Sequence, residues 1–422
     1  MSLLHHAPAS PTPTRTVDVL VIGAGPAGIA AAIGAHRAGL EVLVVDRATF
    51  PRDKICGDGL TTAALRELEA LGLDPTTVPS WIDVDSALVR SPSGREVIFP
   101  FPQGEGLYGA VCRRRELDHA LVLHARALGI EILEGATFRS ITETDAGNLV
   151  EIDGLGTVHG AWVIAADGMW SPVRKALGVA APDYRGEWHA FRQYFTNVSP
   201  QAAAQLVVWF EPDLLPGYAW SFPLGDGSAN VGFGILRGGS YSVPAMAALW
   251  RDLLARPHVR AFLGAEATAE GPHRAWPIPA RVDRVALTHH RTLFVGDAAA
   301  ATDPMTGEGI GQALATGRWA AEAIIAATDS PVRVRGEYEH TVHDELAVDH
   351  RFAERLTAIL RRPLGARGAV RIAGATAWTR RNFGRWLFED YPRALLLTPH
   401  RWKRHMFTGP GAYRGRREDT TD

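Results

Sequence analysis

The run Val17-Asp18-Val19-Leu20-Val21-Ile22 constrains this chain most, because Gly23-Ala24-Gly25-Pro26-Ala27-Gly28 follows it at once. A short, nearly continuous apolar run reads as a parallel strand buried on both faces. Residues Ala27 to Ala38, rich in small side chains, read as the next helix, with Pro26 at its opening, where a missing N–H costs nothing. Gly23 makes the tight turn, Gly25 lets a pyrophosphate approach the backbone, and Gly28 lets helix and strand pack closely. The phosphates would meet the free N–H groups of the helix N-terminus. A second apolar run, Glu41 to Val45, ends in Asp46-Arg47, with Asp46 eighteen residues past Gly28 and placed to accept hydrogen bonds from a ribose. A GxGxxG alone is often a chance turn. Strand, glycines, helix, strand and acid in this order predict a dinucleotide-binding unit.

A second set of segments lies far along the chain. Val163 to Ala166 reads as a buried strand ending in Asp167-Gly168, followed by Ser171 and Arg174. Leu293 to Val295 reads as another, running into Gly296-Asp297. After Pro304, the run Gly307-Glu308-Gly309-Ile310-Gly311 opens a helix, Gln312 to Ala326. Taken singly, each aspartate is as readily a turn former. Together they resemble the flavin monooxygenase superfamily, in which a late Gly-Asp strand returns to the first sheet and closes over FAD. The resemblance implies that Asp297 binds a ribityl or ribose hydroxyl. It also implies that the positive end of the late helix faces the N1–C2=O edge of the isoalloxazine. Arg114, in Cys112-Arg113-Arg114-Arg115, resembles the arginine near the flavin phosphates, with Arg113 and Arg115 as alternatives.

Composition narrows the class. At 422 residues the chain is long enough for two or three domains, and a formal charge of −2 argues against a general nucleic-acid binder. Cys56 and Cys112 offer no metal spacing and suggest a reducing, cytoplasmic compartment. The segment 1–16 has neither the basic start nor the apolar core of a signal peptide and is expected to be a disordered leader. No apolar run approaches the length of a membrane span. The expected fold is α/β and discontinuous. Residues 17–81, 111–177 and 287–327 form a Rossmann-like FAD-binding domain, interleaved with an antiparallel-sheet substrate domain from 82–110 and 178–286. A helical C-terminal region covers 331–422.

Further motifs sharpen the resemblance. Pro51-Arg52-Asp53-Lys54-Ile55-Cys56-Gly57 reads as PxxxxCG, and Tyr218-Ala219-Trp220-Ser221-Phe222-Pro223 as YxWxFP, followed after eight residues by Gly232-Phe233-Gly234. This combination resembles the geranylgeranyl reductase family, which saturates isoprenoid chains. The stretch from Thr49 to Leu60 is similar to that of actinobacterial menaquinone-chain reductases. The resemblance implies hydride transfer from reduced FAD to an isoprenoid or quinone-lipid double bond. An isolated alkene has no carbonyl to accept charge, so reduction needs protonation toward a tertiary carbocation. Tyr218, Trp220 and Phe222 share one face of a strand and suit such a cation, unless they form an aromatic core ladder. Gly232 and Gly234 would let the prenyl chain or flavin approach, or mark a β-bulge. The resemblance lays the Cys56 loop over the flavin, so Cys56 would position the alkene or relay a proton; a small core residue is the plainer reading. Lys54 and Asp58 are weaker candidates for the same site.

Some features depart from related flavoproteins. Ala298 to Ala301 stand where aromatic hydroxylases often carry a histidine, and Tyr218 and Phe222 depart from the WxWxIP of flavin halogenases. No second GxGxxG opens a helix after a strand, so NADPH would visit transiently or a reduced carrier would supply electrons. Between Arg361 and Arg404, eleven Arg or Lys face two acids and are interleaved with Trp378, Phe383, Trp386, Phe388, Tyr391 and Trp402. That pattern suits peripheral contact with the inner face of an anionic membrane, or a helix packed by its aromatics on the main body. The alternative activity is an FAD-dependent monooxygenase acting on an aromatic or polyketide-type substrate, with a non-catalytic flavin-binding protein behind it.

Overall fold

The computed structural model describes residues 13–239, 241–402, 404 and 406–417. The expected central strand forms over Arg15–Ile22, with Val42–Asp46 and Gly156–Ala165 as its parallel neighbours. Glu131–Glu134 and Thr292–Phe294 extend the parallel sheet outward on either side. The strand begins two residues before the apolar run does, and Thr14 already hydrogen-bonds the Leu155 and Thr157 carbonyls, so the end of the expected leader is ordered. The remainder of that leader, 1–12, lies outside the described residues.

The helix Pro26–Arg37 packs directly on the helix Ile310–Ala326, although nearly three hundred residues separate them. Small side chains permit the approach. A Cβ on Gly317 would lie 2.0 Å from the Ala27 carbonyl oxygen, and one on Gly28 would lie 1.8 Å from that of Gly23.

A second sheet stands beside the first, in the order Thr268–Ile278, Trp188–Thr196, Ala229–Leu236, Ala219–Pro223, Leu206–Trp209, Ser86–Arg90 and Glu96–Pro100. It departs from the expected antiparallel plan at one pair, because Leu206–Trp209 runs parallel to Ser86–Arg90. The chain leaves this sheet after Pro100, builds part of the dinucleotide unit and re-enters at Trp188–Thr196, which runs in the same direction as Glu96–Pro100 and so begins at the opposite end. Parallel neighbours require just such a long crossover.

Beyond residue 330 come the helices Pro331–Val342, Val348–Leu360, Pro363–Ala373 and Ala377–Leu387. The last folds onto the outer strand of the second sheet, with Phe383 against Phe99 at 4.7 Å and Phe388 against Phe101 at 4.6 Å between ring centroids. Among the described residues no helix is long and apolar enough to cross a membrane.

Gly317→Ala tests the helix contact. Alanine gains about 1 kcal/mol of helix propensity, but the overpacked Cβ costs about 1–3 kcal/mol. A lower denaturant midpoint is expected; a higher one would mean that the two helices do not approach this closely.

Candidate active site

One cavity of about 750 Å³ runs from the N-termini of these two helices to the aromatic strand Ala219–Pro223, a volume within the ~300–1,000 Å³ range of small-molecule sites. Neither helix has a side-chain cap, so their first N–H groups are open to the cavity. Gly23, Gly25, Pro26 and Ala27 line one end. A Cβ on Gly25 would meet nothing closer than Arg52 Nη2 at 3.5 Å, so the space it leaves belongs to the cavity. Gly28 stands behind this wall. Asp46 and Arg47 line it, and the Asp46 carboxylate accepts the Ala24 and Ala48 N–H groups at 2.8 Å each.

At the far helix, Gly307, Glu308, Gly309 and Ile310 line the cavity. Pro304 does not; it is buried in the preceding turn, which Asp303 Oδ1 ties by accepting from Met305 N, Thr306 N and Thr306 Oγ1. Asp167, Gly168, Gly296 and Asp297 lie between the two ends. Asp297 pairs with Lys54 at 3.1 Å, and the same ammonium sits 4.4 Å from the centre of the Trp276 ring. Asp167 Oδ2 accepts from Ser171 Oγ and Val173 N, whereas its buried Oδ1 has no partner among the described residues. Burial pushes the Asp167 carboxyl up to about 6. Arg174 turns elsewhere, onto the carbonyls of Val179, Ala286 and Ala298.

The three consecutive arginines separate cleanly. Arg114 lines the cavity and is held bidentately by the buried Asp118, at 2.8 and 3.0 Å. Arg113 and Arg115 line a different groove, where Arg113 pairs with Asp226 and Glu270. Only the helix phase, set by the start of Arg114–Ala127, makes this distinction.

Tyr218, Trp220 and Phe222 all line the cavity from one strand face, with successive ring centroids 6.0 and 6.1 Å apart. The Cys56-Gly57 loop crosses them; a Cβ on Gly57 would lie 3.5 Å from Phe222 and 3.7 Å from Trp220. Asn230, which the sequence reading missed, organises this wall. Its Oδ1 accepts from Trp220 Nε1 at 3.1 Å, and its Nδ2 donates to the Cys56 carbonyl and to Asp58 Oδ2 at 2.9 and 2.8 Å. Asp58 is fully buried behind the loop, accepts also from Tyr194 at 2.7 Å, and does not face the cavity. Gly232 admits no chain or flavin. A Cβ there would lie 2.3 Å from Trp220, so the glycine seats the indole, and the strand register runs through it without a bulge. Gly234 does line the cavity. Burial raises the Cys56 thiol above its ordinary range, against the nearby Arg114, so at neutral pH it is protonated.

Glu308 borders the same wall. A Cβ on Gly59 would lie 3.3 Å from Phe222 Cε2 and 3.5 Å from Glu308 Oε1. Burial, reinforced by Glu389, pushes the Glu308 carboxyl up to about 8. Glu389 and Arg393 come from the C-terminal region, whose chemistry near the cavity no sequence pattern announced.

These residues fit FAD. Two uncapped helix N-termini suit its anionic groups, Gly25 leaves backbone room, and Asp167 Oδ1 is a buried acceptor awaiting a donor. Asp167→Asn separates binding from stability. Because burial raises the carboxyl, proton uptake stabilises the FAD-free fold fully below the ordinary ~3.9, and that contribution is lost as pH rises through about 6. The variant should therefore melt higher than the parent at pH 8 and not at pH 4. FAD should bind about tenfold more weakly, the loss of one charge-assisted hydrogen bond worth ~1.5 kcal/mol. Equal melting shifts at both pH values would contradict the buried charge.

Comparison with known proteins agrees. The FAD-binding-domain family matches residues 16–329. A menaquinone reductase of Mycolicibacterium smegmatis is 34% identical over 388 residues, covering 86% of this chain and 89% of the relative. Digeranylgeranylglycerophospholipid reductase 1 of Methanopyrus kandleri is 33% identical over 324 residues, covering 74% and 81%. The solved structure of a geranylgeranyl bacteriochlorophyll reductase-like protein from Thermoplasma acidophilum superposes with a TM-score of 0.77 at 22% identity, covering 92% of this chain and all of that one, which shows a shared fold. The chain thus belongs to the geranylgeranyl reductase family and is an FAD-dependent oxidoreductase of the aromatic-hydroxylase-like superfamily.

Proposed function

We propose that this enzyme saturates isolated double bonds of an isoprenoid chain carried by a quinone or related lipid. The observation that carries the reading is the union, in one cavity, of the FAD cradle with the Tyr218-Trp220-Phe222 face. The names of the menaquinone and digeranylgeranylglycerophospholipid reductases it resembles support the substrate class. When bound and reduced, FAD supplies two electrons with a hydrogen at N5. The helix ends at Gly25 and Gly309, with Asp46, Arg114, Asp167 and Asp297, would hold its polar groups. Trp220 and Phe222, each less than a tenth exposed, shape a largely dry wall whose ring faces attract a developing cation by about 2 kcal/mol once desolvated. Asn230 fixes both the indole and the Cys56 loop above it. NADPH or a reduced carrier protein would replace the electrons transiently, in keeping with the single dinucleotide fingerprint.

Anaerobic mixing of the reduced enzyme with a menaquinone tests this directly. Mass spectrometry should show a gain of two mass units per reduced bond, together with flavin reoxidation. Unchanged lipid, and flavin that reoxidises only when air is admitted, would favour the monooxygenase.

The lipid substrate also gives meaning to the C-terminal surface. Phe383, Trp386, Phe388 and Tyr391 turn inward, and Arg385, Arg393 and Arg401 are engaged in ion pairs. In contrast, Leu364, Ile372, Trp378, Leu396, Leu397 and Trp402 are 57–82% exposed. Arg361, Arg362, Arg367, Arg371, Arg381 and Arg404 are also exposed and form no ion pair among the described residues. Apolar and unpaired basic side chains on one stretch suit the cytoplasmic face of an anionic bilayer. The protein should sediment with phosphatidylglycerol vesicles and be released by high salt; failure to sediment would exclude membrane contact.

A further inference from the structure

We propose that the Glu308 carboxyl is the acid that delivers a proton to the substrate double bond, and that Glu389 and Arg393 of the C-terminal region are positioning residues that keep that proton in place. The inference rests on the reductase reading above.

Geometry puts the acid where the proton is needed. Glu308 lines the cavity, and its Oε1 and the edge of the Phe222 ring border the same gap beside Gly59. Other acids along the cavity are less suited. The Tyr218 hydroxyl donates to the Thr306 carbonyl, and burial pushes both it and the Cys56 thiol up from values that already make them weak acids. Asp46, Asp167 and Asp297 stand at the cofactor end.

The surroundings explain why this carboxyl is the one that stays protonated. Asp303, Glu308 and Glu389 share one guanidinium, that of Arg393, which is 3.4 Å from Asp303 and 3.3 Å from Glu389. One buried cation cannot neutralise three carboxylates, and like charges in a poorly solvated site cannot all persist. Donors are distributed unequally among them. Asp303 accepts from its turn. Burial opposes its charge, but Arg393 and those donors outweigh burial and hold it below its ordinary value. Burial raises Glu389 as well, yet it accepts from Thr61 Oγ1, Gln312 Nε2 and Arg393 Nη2 at 2.9, 2.8 and 3.3 Å. The Glu308 carboxyl, unlike its backbone carbonyl, accepts no hydrogen bond among the described residues, so protonation there costs least. The charged and titratable groups around it are Asp303 in the turn, Glu389 and Arg393 of the C-terminal region, Tyr218 on the aromatic strand and Cys56 in the loop.

The step balances. One alkene carbon forms a C–H bond with the Glu308 proton. The other takes a hydrogen with two electrons from reduced FAD, which is thereby oxidised. The double bond becomes single. Glu308, left ionised, regains a proton from water, and NADPH or a reduced carrier returns the two electrons.

Glu308→Gln in the FAD-loaded full chain tests the assignment with two readouts. By infrared spectroscopy the parent should show a protonated carboxyl band at neutral pH that fades as pH rises through about 8 and is missing from the variant. In anaerobic single turnover with a menaquinone, E308Q should reduce the lipid at least ~100-fold more slowly, the usual contribution of a general acid, while its flavin content and reduction by dithionite are unchanged. The parent rate should fall over the same pH interval as the band. Glu389→Gln removes a neighbouring negative charge while keeping an amide in its place, and should move both transitions to lower pH. E308Q turning over at the parent rate, or the absence of a titrating band, would overturn the assignment alone. A parent that reduces no polyprenyl lipid while its band titrates would overturn the reductase reading and, with it, the role given to the stored proton.

Discussion

Gly317 meets the carbonyl of Ala27 with no room for a side chain, and much of the site's geometry follows from that contact. It locks together two helices that begin at Gly25 and Gly309, so both N-termini open into one cavity. Each end carries roughly half a positive charge on N–H groups without partners. Two such ends, fixed by packing rather than by ion pairs, form a site for negative charge that needs no mobile cation. The second sheet then needs only to bring its aromatic strand to the open side.

The cavity concentrates groups that a fold built for stability would avoid. Asp167 Oδ1 is buried with no donor among the described residues, Asp58 is sealed behind the Cys56 loop with positive φ, and three carboxyls surround Arg393. Close-packed elements hold each of them in place, and of these groups Asp167 and Glu308 face the cavity itself. Departures of this kind from local rules cluster where a protein binds or reacts.

Motifs with fixed spacing were readable in the sequence because they are local. Strand, glycines, helix and acid from Val17 to Asp46 form as their pattern predicts, and Tyr218, Trp220 and Phe222 share a face because strand alternation dictates it. What escaped notice depends on tertiary placement. Nothing in Cys112-Arg113-Arg114-Arg115 says which guanidinium faces inward. Gly232 looks like any ligand-facing glycine until the Trp220 ring is seen lying against it. Asn230 carries no motif, yet holds the loop, the indole and Asp58 together. The parallel pairing of Ser86–Arg90 with Leu206–Trp209 depends on where a chain excursion of about a hundred residues re-enters, which periodicity does not encode.

The stretch from Trp378 to Trp402 serves two environments at once. Its outer side chains meet solvent, while Phe388 presses against Phe101 and gives its carbonyl to Thr62 N, and Glu389 and Arg393 reach the carboxyl cluster. A displacement imposed on the outside therefore reaches the cavity wall through a few covalent bonds, without crossing another element. Surface and interior are covalently one part here, so whatever the outer face rests on bears on the same short stretch of chain that carries Glu389 and Arg393.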